Sequence, residues 1–344
     1  MTEAQPHAQG LTTSKPLDFD APAFRARAQW WGADLQTLRN VIIGSREKPQ
    51  VSIKARLSFP MSDDTGDVLA AAFTAPLQRV VAGTPLVVLI HGLSGSEDSA
   101  YMLTSTRFWS ERGFRVLRLN LRGAGPSREH CLQQYHAGRT QDLRDVLRGL
   151  PENELVNGLI LVGYSLGGNM LLKFMAEFGC DFPVVASASV SAPIDLAAAS
   201  RRFLDARNWV YHQNLLRNMK HECFGGPVAV SDEEREVILS CRSILEFDER
   251  IVAPRNGFRD AAHYYHENHA RRYLGQITTP TLLIHARNDP WIPANAYTSY
   301  PFADNPQLHP VLTPSGGHVG FHVRNESEPY YDHCIHAFAT KVMA

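Results

Sequence analysis

Gly163-Tyr-Ser165-Leu-Gly167 constrains this chain more than any other stretch, because of what stands on either side of it. Before it runs Leu159-Ile-Leu-Val162, an apolar run of strand length. After it comes Asn169-Met-Leu-Leu-Lys-Phe-Met-Ala-Glu-Phe178, a helical run. Chance puts a G-x-S-x-G pattern in roughly one chain in ten of this length, so the pattern alone decides little. Its place between strand and helix decides more. A sharp strand-to-helix turn holds the serine hydroxyl exposed, and glycines let strand and helix approach each other. The N–H of Leu166 then lies at a helix N-terminus, where developing negative charge is favoured. Gly163 and Gly167 are therefore expected to be structural parts of the site.

The rest of the 344-residue chain repeats the alternation of apolar runs and helical patterns. Runs at 53–59 and 68–73 look like edge strands. Runs at 85–91 and 115–121, with a helical stretch between them, look like central neighbours buried on both faces. Further strands are expected at 158–163, 184–190, 280–285 and 310–312, and helices at 140–150 and 330–342. Alternation of this kind predicts an α/β fold with a mostly parallel sheet. Residues 1–23 read as a flexible polar segment and 24–43 as an amphipathic helical stretch. Residues 192–275 break the rhythm with helical, aromatic-dotted sequence. They are expected to form a cap inserted into a core made of 24–191 and 276–344, over the strand ends where ligands bind.

Serine needs a base to take its proton, and on such a fold the partners follow in the order serine, acid, histidine. Asp289 lies just past the 280–285 run in a turn punctuated by Pro290 and Pro293. His318 lies in the loop Thr313-Pro-Ser-Gly-Gly-His318. These two are the expected acid and base; Asp304 and His322 are the rivals. The loop His91-Gly92-Leu93-Ser94-Gly95 follows the first central strand. Leu93 N–H is expected to join Leu166 N–H as an oxyanion donor, with Gly92 allowing close approach and His91 bracing the loop.

The remaining features exclude more than they suggest. A net charge of −1 offers no field for nucleic acid. Five scattered cysteines without a C-x-x-C pair argue against a zinc ribbon or disulfide framework and for a reducing, cytoplasmic setting. His263, His266 and His269 imitate a metal face, but without a partner motif a solvated face is preferred, so no metal is expected. The run Arg122-Gly-Ala-Gly-Pro-Ser127 reads as a turn at the site's rim, and no phosphate-binding motif is present, so no cofactor is expected. No run is long and apolar enough to span a bilayer. Trp30–Trp31 and Ile42–Ile43 are read as buried anchors, with a transient membrane-surface contact as the alternative. Oligomeric state is left open.

The chain resembles the YheT-like branch of the α/β-hydrolases, the type 4 α/β-hydrolase family. The resemblance runs from about residue 33 to the C-terminus. It rests on Asp34-Leu-Gln-Thr-Leu38, His91-Gly-Leu-Ser-Gly95, Asn120-Leu-Arg-Gly123, Tyr135-His-Ala-Gly138 with Asp142, and Gly163-Tyr-Ser-Leu-Gly-Gly-Asn169. Phe247-Asp248, Tyr264-Tyr265, Asn288-Asp-Pro290 and Gly316-Gly-His318 add to it. It implies a triad of Ser165, Asp289 and His318 and esterase or lipase-like activity on small acyl esters, with acyl transfer to alcohols in some members. Short to medium acyl chains are expected from the aromatic cap. The family usually has Pro-His before Leu-Gln-Thr, where this chain has Ala33-Asp34, which leaves the role of the N-terminal segment open. A non-catalytic binding protein on the same scaffold is the competing reading; such proteins typically lose a triad member, and all three stand here.

Overall fold

The computed structural model describes residues 17–42, 49–77 and 83–344. The apolar runs become eight strands of one sheet: β1 (Ala55–Pro60), β2 (Val68–Thr74), β3 (Leu86–Ile90), β4 (Arg115–Leu119), β5 (Leu159–Tyr164), β6 (Val184–Val190), β7 (Thr281–Ala286) and β8 (Leu308–Thr313). Their spatial order is β1-β2-β4-β3-β5-β6-β7-β8. The pairs β1–β2 and β2–β4 are antiparallel, and all later pairs are parallel.

Parallel strands need crossovers, and helices on both faces make the central strands apolar throughout. In β3, Leu86, Val88 and Ile90 face Met170 and Phe174 of the helix Leu166–Glu177. Val87 and Leu89 face the other way, towards Phe108 of the helix Ala100–Glu111 and Phe338 of the helix Tyr330–Met343. The period of two along each strand thus divides the core into two layers.

β3 lies between β4 and β5, so the chain reverses its direction of travel across the sheet there. Loops leaving the carboxyl ends on either side of such a point diverge and leave a crevice. Register sets what meets in it. Ile90 pairs with Gly163, which brings His91 and Gly92 beside Ser165.

The N-terminal region departs from expectation. Within 24–43 only Ala33–Ile42 is helical. Gly32, at φ +88°, ends a turn before it, and Ala26 forms an antiparallel bridge to Val323. Trp31 is exposed rather than a buried anchor, because that turn carries it away from the body. Ile43 lies outside the described residues, as do residues 1–16. Leu17, Phe19 and Ala21 pack on the apolar layer below the sheet, and the rings of Phe19 and Phe338 are 5.2 Å apart. β2 is not an edge strand: β1 covers its outer side, and it is buried along most of its length.

Between β6 and β7 the chain is helical, from Leu196–Phe203 to Leu274–Gln276. These elements build an apolar cluster of their own around Leu216, Met219, Ile238, Phe247 and Ile251. No helix among the described residues is long and apolar enough to cross a membrane.

Candidate active site

At the end of β5 the backbone turns so sharply that Ser165 takes φ 51°, ψ −122°, a conformation side chains rarely adopt and one that functional sites hold under strain. The turn is pinned by the Ser165 N–H, which donates to Val190 O at 2.8 Å. Glycine is required around it. A Cβ on Gly163 would come within 2.5 Å of the Gly167 carbonyl oxygen. One on Gly167 would strike the carbonyls of Ile90 and His91, and one on Gly92 would lie 2.9 Å from Ser165 Cβ. The hydroxyl therefore sits against the loop after β3 with no spare volume between them.

His318 Nε2 is 2.9 Å from Ser165 Oγ, and His318 Nδ1 is 2.9 Å from Asp289 Oδ2. The other Asp289 oxygen accepts the N–H groups of Trp291 (2.8 Å) and Ile292 (3.0 Å). Acceptor atoms of Asp289 thus place the imidazole proton on Nδ1 and leave Nε2 to accept from the serine. Both side chains are buried, and the Trp291 ring covers the imidazole at 4.2 Å. The loop carrying His318 is contorted, with Gly317 at φ +62° and Val319 at φ 52°. Outside contacts hold it. His318 N–H donates to Thr37 Oγ1 (2.8 Å), and Val319 N–H donates to Ser191 Oγ (3.1 Å). Gln36 accepts the His322 N–H at 2.7 Å and donates to Trp30 O. The rivals lie elsewhere. Asp304 is exposed, and His322 is buried beside Arg39 and Arg27, where desolvation and those charges push it down to about 3.

In the loop after β3 the backbone donors on either side of Leu93 are held. Gly92 N–H donates to Tyr101 OH (2.9 Å), Ser94 N–H to Tyr135 OH (2.7 Å) and Gly95 N–H to Gly92 O (3.1 Å). Among the described residues neither Leu93 N–H nor Leu166 N–H has a protein acceptor, and both residues border the same cavity as Ser165. His91 Nδ1 donates to Gly92 O (2.8 Å) and its Nε2 accepts from Leu121 N–H (3.0 Å). Burial pushes this histidine down to about 4, so it stays neutral and holds both bonds at physiological pH.

The alpha/beta hydrolase family profile matches residues 87–329, more than half of the chain. YheT of Escherichia coli (strain K12), a protein assigned as an esterase, is 36% identical over 69% of this chain and 70% of its own length. The chain belongs to the α/β-hydrolase family, in its YheT-like branch. Human Phospholipase ABHD3 is 25% identical over 69% of this α/β-hydrolase, which spans 58% of the relative's length. Medium-chain fatty acid ethyl ester synthase/esterase 2 of Saccharomyces cerevisiae is 27% identical over 76% of the chain and 61% of its own length. Among solved structures, the Pyrococcus furiosus esterase Pf2001 superposes with a TM-score of 0.52 at 15% identity, over 87% of this chain and 90% of that one. Est1E from Butyrivibrio proteoclasticus gives 0.51 at 13% identity, over 84% and 99%. At such identities the likeness concerns the fold. The relatives matched in sequence support hydrolase activity.

In this α/β-hydrolase the serine opens into a cavity of about 1080 Å³. The helices between β6 and β7 supply much of its wall, including Phe203, Leu215, Met219 and Phe247, and the core supplies Leu93 and Trp291. Four carboxyl groups, those of Asp34, Glu222, Glu234 and Asp248, interrupt this apolar lining, and burial acts on two of them. Glu222, at the end of the helix Trp209–Glu222, accepts from Tyr135 OH at 3.2 Å. Burial raises its carboxyl to about 7. Asp248 accepts from Tyr265 OH at 2.6 Å and is raised to about 7 for the same reason.

Sequence reasoning did not single out Tyr101, Tyr135, Thr37, Ser191, Glu222 or Trp291 as parts of the site. Tyr135 and Thr37 stand inside runs that carry the family resemblance, and their hydroxyls were the available signal. Of the three histidines with metal-like spacing, His263 and His266 lie on the helix Ala261–Asn268, and His269 follows it. His263 Nδ1 accepts from Arg259 N–H at 3.2 Å. Arg122 is taken up in a buried ion network with Asp142 and Asp67, and the adjacent Gly123 borders the cavity.

Proposed function

We propose that this hydrolase cleaves carboxylic esters of short- to medium-chain acids through an acyl-enzyme on Ser165. The observation that carries this reading is the unbroken line Ser165 Oγ–His318–Asp289, with both links at 2.9 Å, on the wall of a mostly apolar cavity. His318 takes the serine proton as Oγ attacks the ester carbonyl. The tetrahedral oxyanion draws on the free N–H groups of Leu93 and Leu166, and Asp289 stabilises the imidazolium. His318 then returns the proton to the leaving alcohol. Water, deprotonated by the same imidazole, releases the acid. No metal or organic cofactor takes part in this scheme.

Residues 192–275 act here as a cap that shapes the acyl pocket. The five cysteines, all unpaired, support a reducing, cytoplasmic setting. Hydrolysis of p-nitrophenyl esters from two to sixteen carbons by the wild type and by Ser165→Ala tests the reading. A rate that peaks at one chain length and is lost in the variant supports it. No turnover of any ester, together with no labelling of Ser165 by a fluorophosphonate, overturns it. The name of the yeast relative, a synthase as well as an esterase, favours one second reading: transfer of the acyl group to an alcohol. Including ethanol in the same assay and measuring ethyl ester formed separates the two.

A further inference from the structure

Asp248 is the least explained polar group bordering the cavity. It is 7% exposed and begins the π-helical turn Asp248–Val252, between the helices Ile244–Phe247 and Ala253–Arg255. Pro254 accounts for the irregularity, since it has no N–H to give and its ring crowds the carbonyl four residues back. π-turns of this kind concentrate at functional sites. One carboxylate oxygen, Oδ2, ends a short chain of hydroxyls. Tyr265 OH donates to it at 2.6 Å, and the same phenol oxygen lies 2.9 Å from Ser200 Oγ. The other oxygen, Oδ1, has no protein partner among the described residues, although Asp248, Tyr265 and Ser200 all border the cavity. An acceptor that opens to the cavity without a protein donor is one that a ligand hydroxyl can satisfy.

Tyr264 adds the complementary group. Its phenol oxygen accepts from Ala137 N–H at 3.0 Å, which leaves its own proton to donate. The ring borders the same cavity, near enough to Asp248 for that charge to raise its pKa. An acceptor and a donor on the wall of one cavity fit a group that both gives and takes a hydrogen bond. We propose that Asp248, with Tyr264 and Tyr265, forms a polar subsite that selects esters bearing a free hydroxyl away from the scissile carbonyl. Burial raises the Asp248 carboxyl to about 7, so near neutrality Oδ1 accepts in one protonation state and donates in the other, which suits a hydroxyl better than a cationic headgroup. The proposal rests on the ester-hydrolase reading for its substrate class. The hydroxyl itself can come from the alcohol part or from the acyl chain.

The test compares three octanoyl-type esters: propyl octanoate, 1-monooctanoin and propyl 8-hydroxyoctanoate. Its readout is the ratio of kcat/KM for each hydroxylated ester to that for propyl octanoate, because a folding defect lowers both esters together. A hydrogen bond to a group of this kind is worth about ten- to hundredfold. The wild type is expected to prefer one hydroxylated ester by that factor, and which one identifies the source. The ratio should fall to near one in Asp248→Leu and be reduced in Asp248→Asn and Tyr265→Phe, which carry the test if the leucine variant does not fold. Binding of 1-O-octylglycerol against octyl propyl ether, followed by tryptophan fluorescence, reads the same subsite without turnover. A failure of ester hydrolysis would therefore leave this inference separately measurable. Equal treatment of plain and hydroxylated compounds by the wild type, or a preference that persists in the variants, overturns it.

Discussion

Replacing Tyr135 with phenylalanine removes one oxygen atom and tests whether the free Leu93 N–H is held in place by its neighbours. In the structure that oxygen accepts the Ser94 N–H at 2.7 Å and donates to Glu222 at 3.2 Å, while Tyr101 holds the Gly92 N–H on the other side. Leu93 is thus clamped between two tethered residues. Without the phenol oxygen, the Ser94 N–H is left in a half-buried position without an acceptor, at a cost of about 1–3 kcal/mol. Two responses are open to the loop. It can bear that cost in place, and stability falls by a few degrees in Tm, at roughly 2–4 °C per kcal/mol for a large domain. Alternatively it can rotate to find water, which turns the Leu93 N–H away from the oxyanion. Complete loss of one oxyanion donor costs about 10²- to 10³-fold in kcat. Since Tyr101 keeps half of the clamp, a fall of roughly ten- to hundredfold is expected for Tyr135→Phe. The assay is initial-rate hydrolysis of p-nitrophenyl octanoate, with kcat and KM separated, alongside a thermal melt. A loss concentrated in kcat supports the clamp. A folded variant with kcat within about twofold of wild type, whatever its Tm, refutes it.

Three further outcomes follow from the same geometry. Asp289→Asn should lower kcat by about three to four orders of magnitude with little loss of fold, because an amide facing Nδ1 favours the tautomer whose Nε2 cannot accept from Ser165; a loss under tenfold would contradict this. Glu222→Gln should gain stability relative to wild type as pH rises. The folded-state pKa is raised from 4.5 to about 7, so the folded form binds more protons between those values and the wild type loses that contribution as pH climbs through 7. The shift between pH 5.5 and 8 is up to about 2 kcal/mol, and parallel melts of the two proteins that stay equally spaced over that range would refute it. Gly167→Ala should cost at least about 3 kcal/mol, or roughly 6 °C in Tm or more, since the new Cβ meets the backbone carbonyls of Ile90 and His91 and neither can yield. A melt within about 2 °C of wild type would show that the turn has more room than these contacts allow.

The central sheet was legible because strands buried on both faces need continuous apolar sequence. The runs at 85–91, 158–163 and 184–190 each carry that pattern and fall on β3, β5 and β6. The N-terminal region was not. Apolar residues from Phe24 onward have a helix-like spacing, yet residues 24–32 are held by the pairing of Ala26 with Val323 and by packing on the C-terminal helix, contacts across some three hundred residues that no local pattern encodes. The candidate site divides in the same way. Ser165, Asp289 and His318 stand in turns with their own local signatures, so each is legible in the sequence as a candidate. Tyr101 and Tyr135 act through single hydroxyls on distant backbone groups, and Glu222 meets the loop by way of Tyr135. Tyrosine at such positions looks like any half-buried aromatic until the fold is known.

The helix Ala33–Ile42 lies outside the stretch matched by the family profile, which begins at residue 87. It nonetheless supplies the Thr37 hydroxyl that fixes the His318 backbone and the Gln36 amide that fixes His322. The glycines of that loop are shaped to it. A Cβ on Gly317 would run into Ala33 O at 2.5 Å, and one on Gly320 into Gln36 O. A fragment trimmed to the stretch that the profile matches would therefore keep every residue of the Ser165–Asp289–His318 line and lose the strut that aims one of them. The border of the matched profile and the border of the unit that holds His318 do not coincide in this chain. Thr37 and Gln36, which lie outside the Ser165–Asp289–His318 line, set where the second border falls.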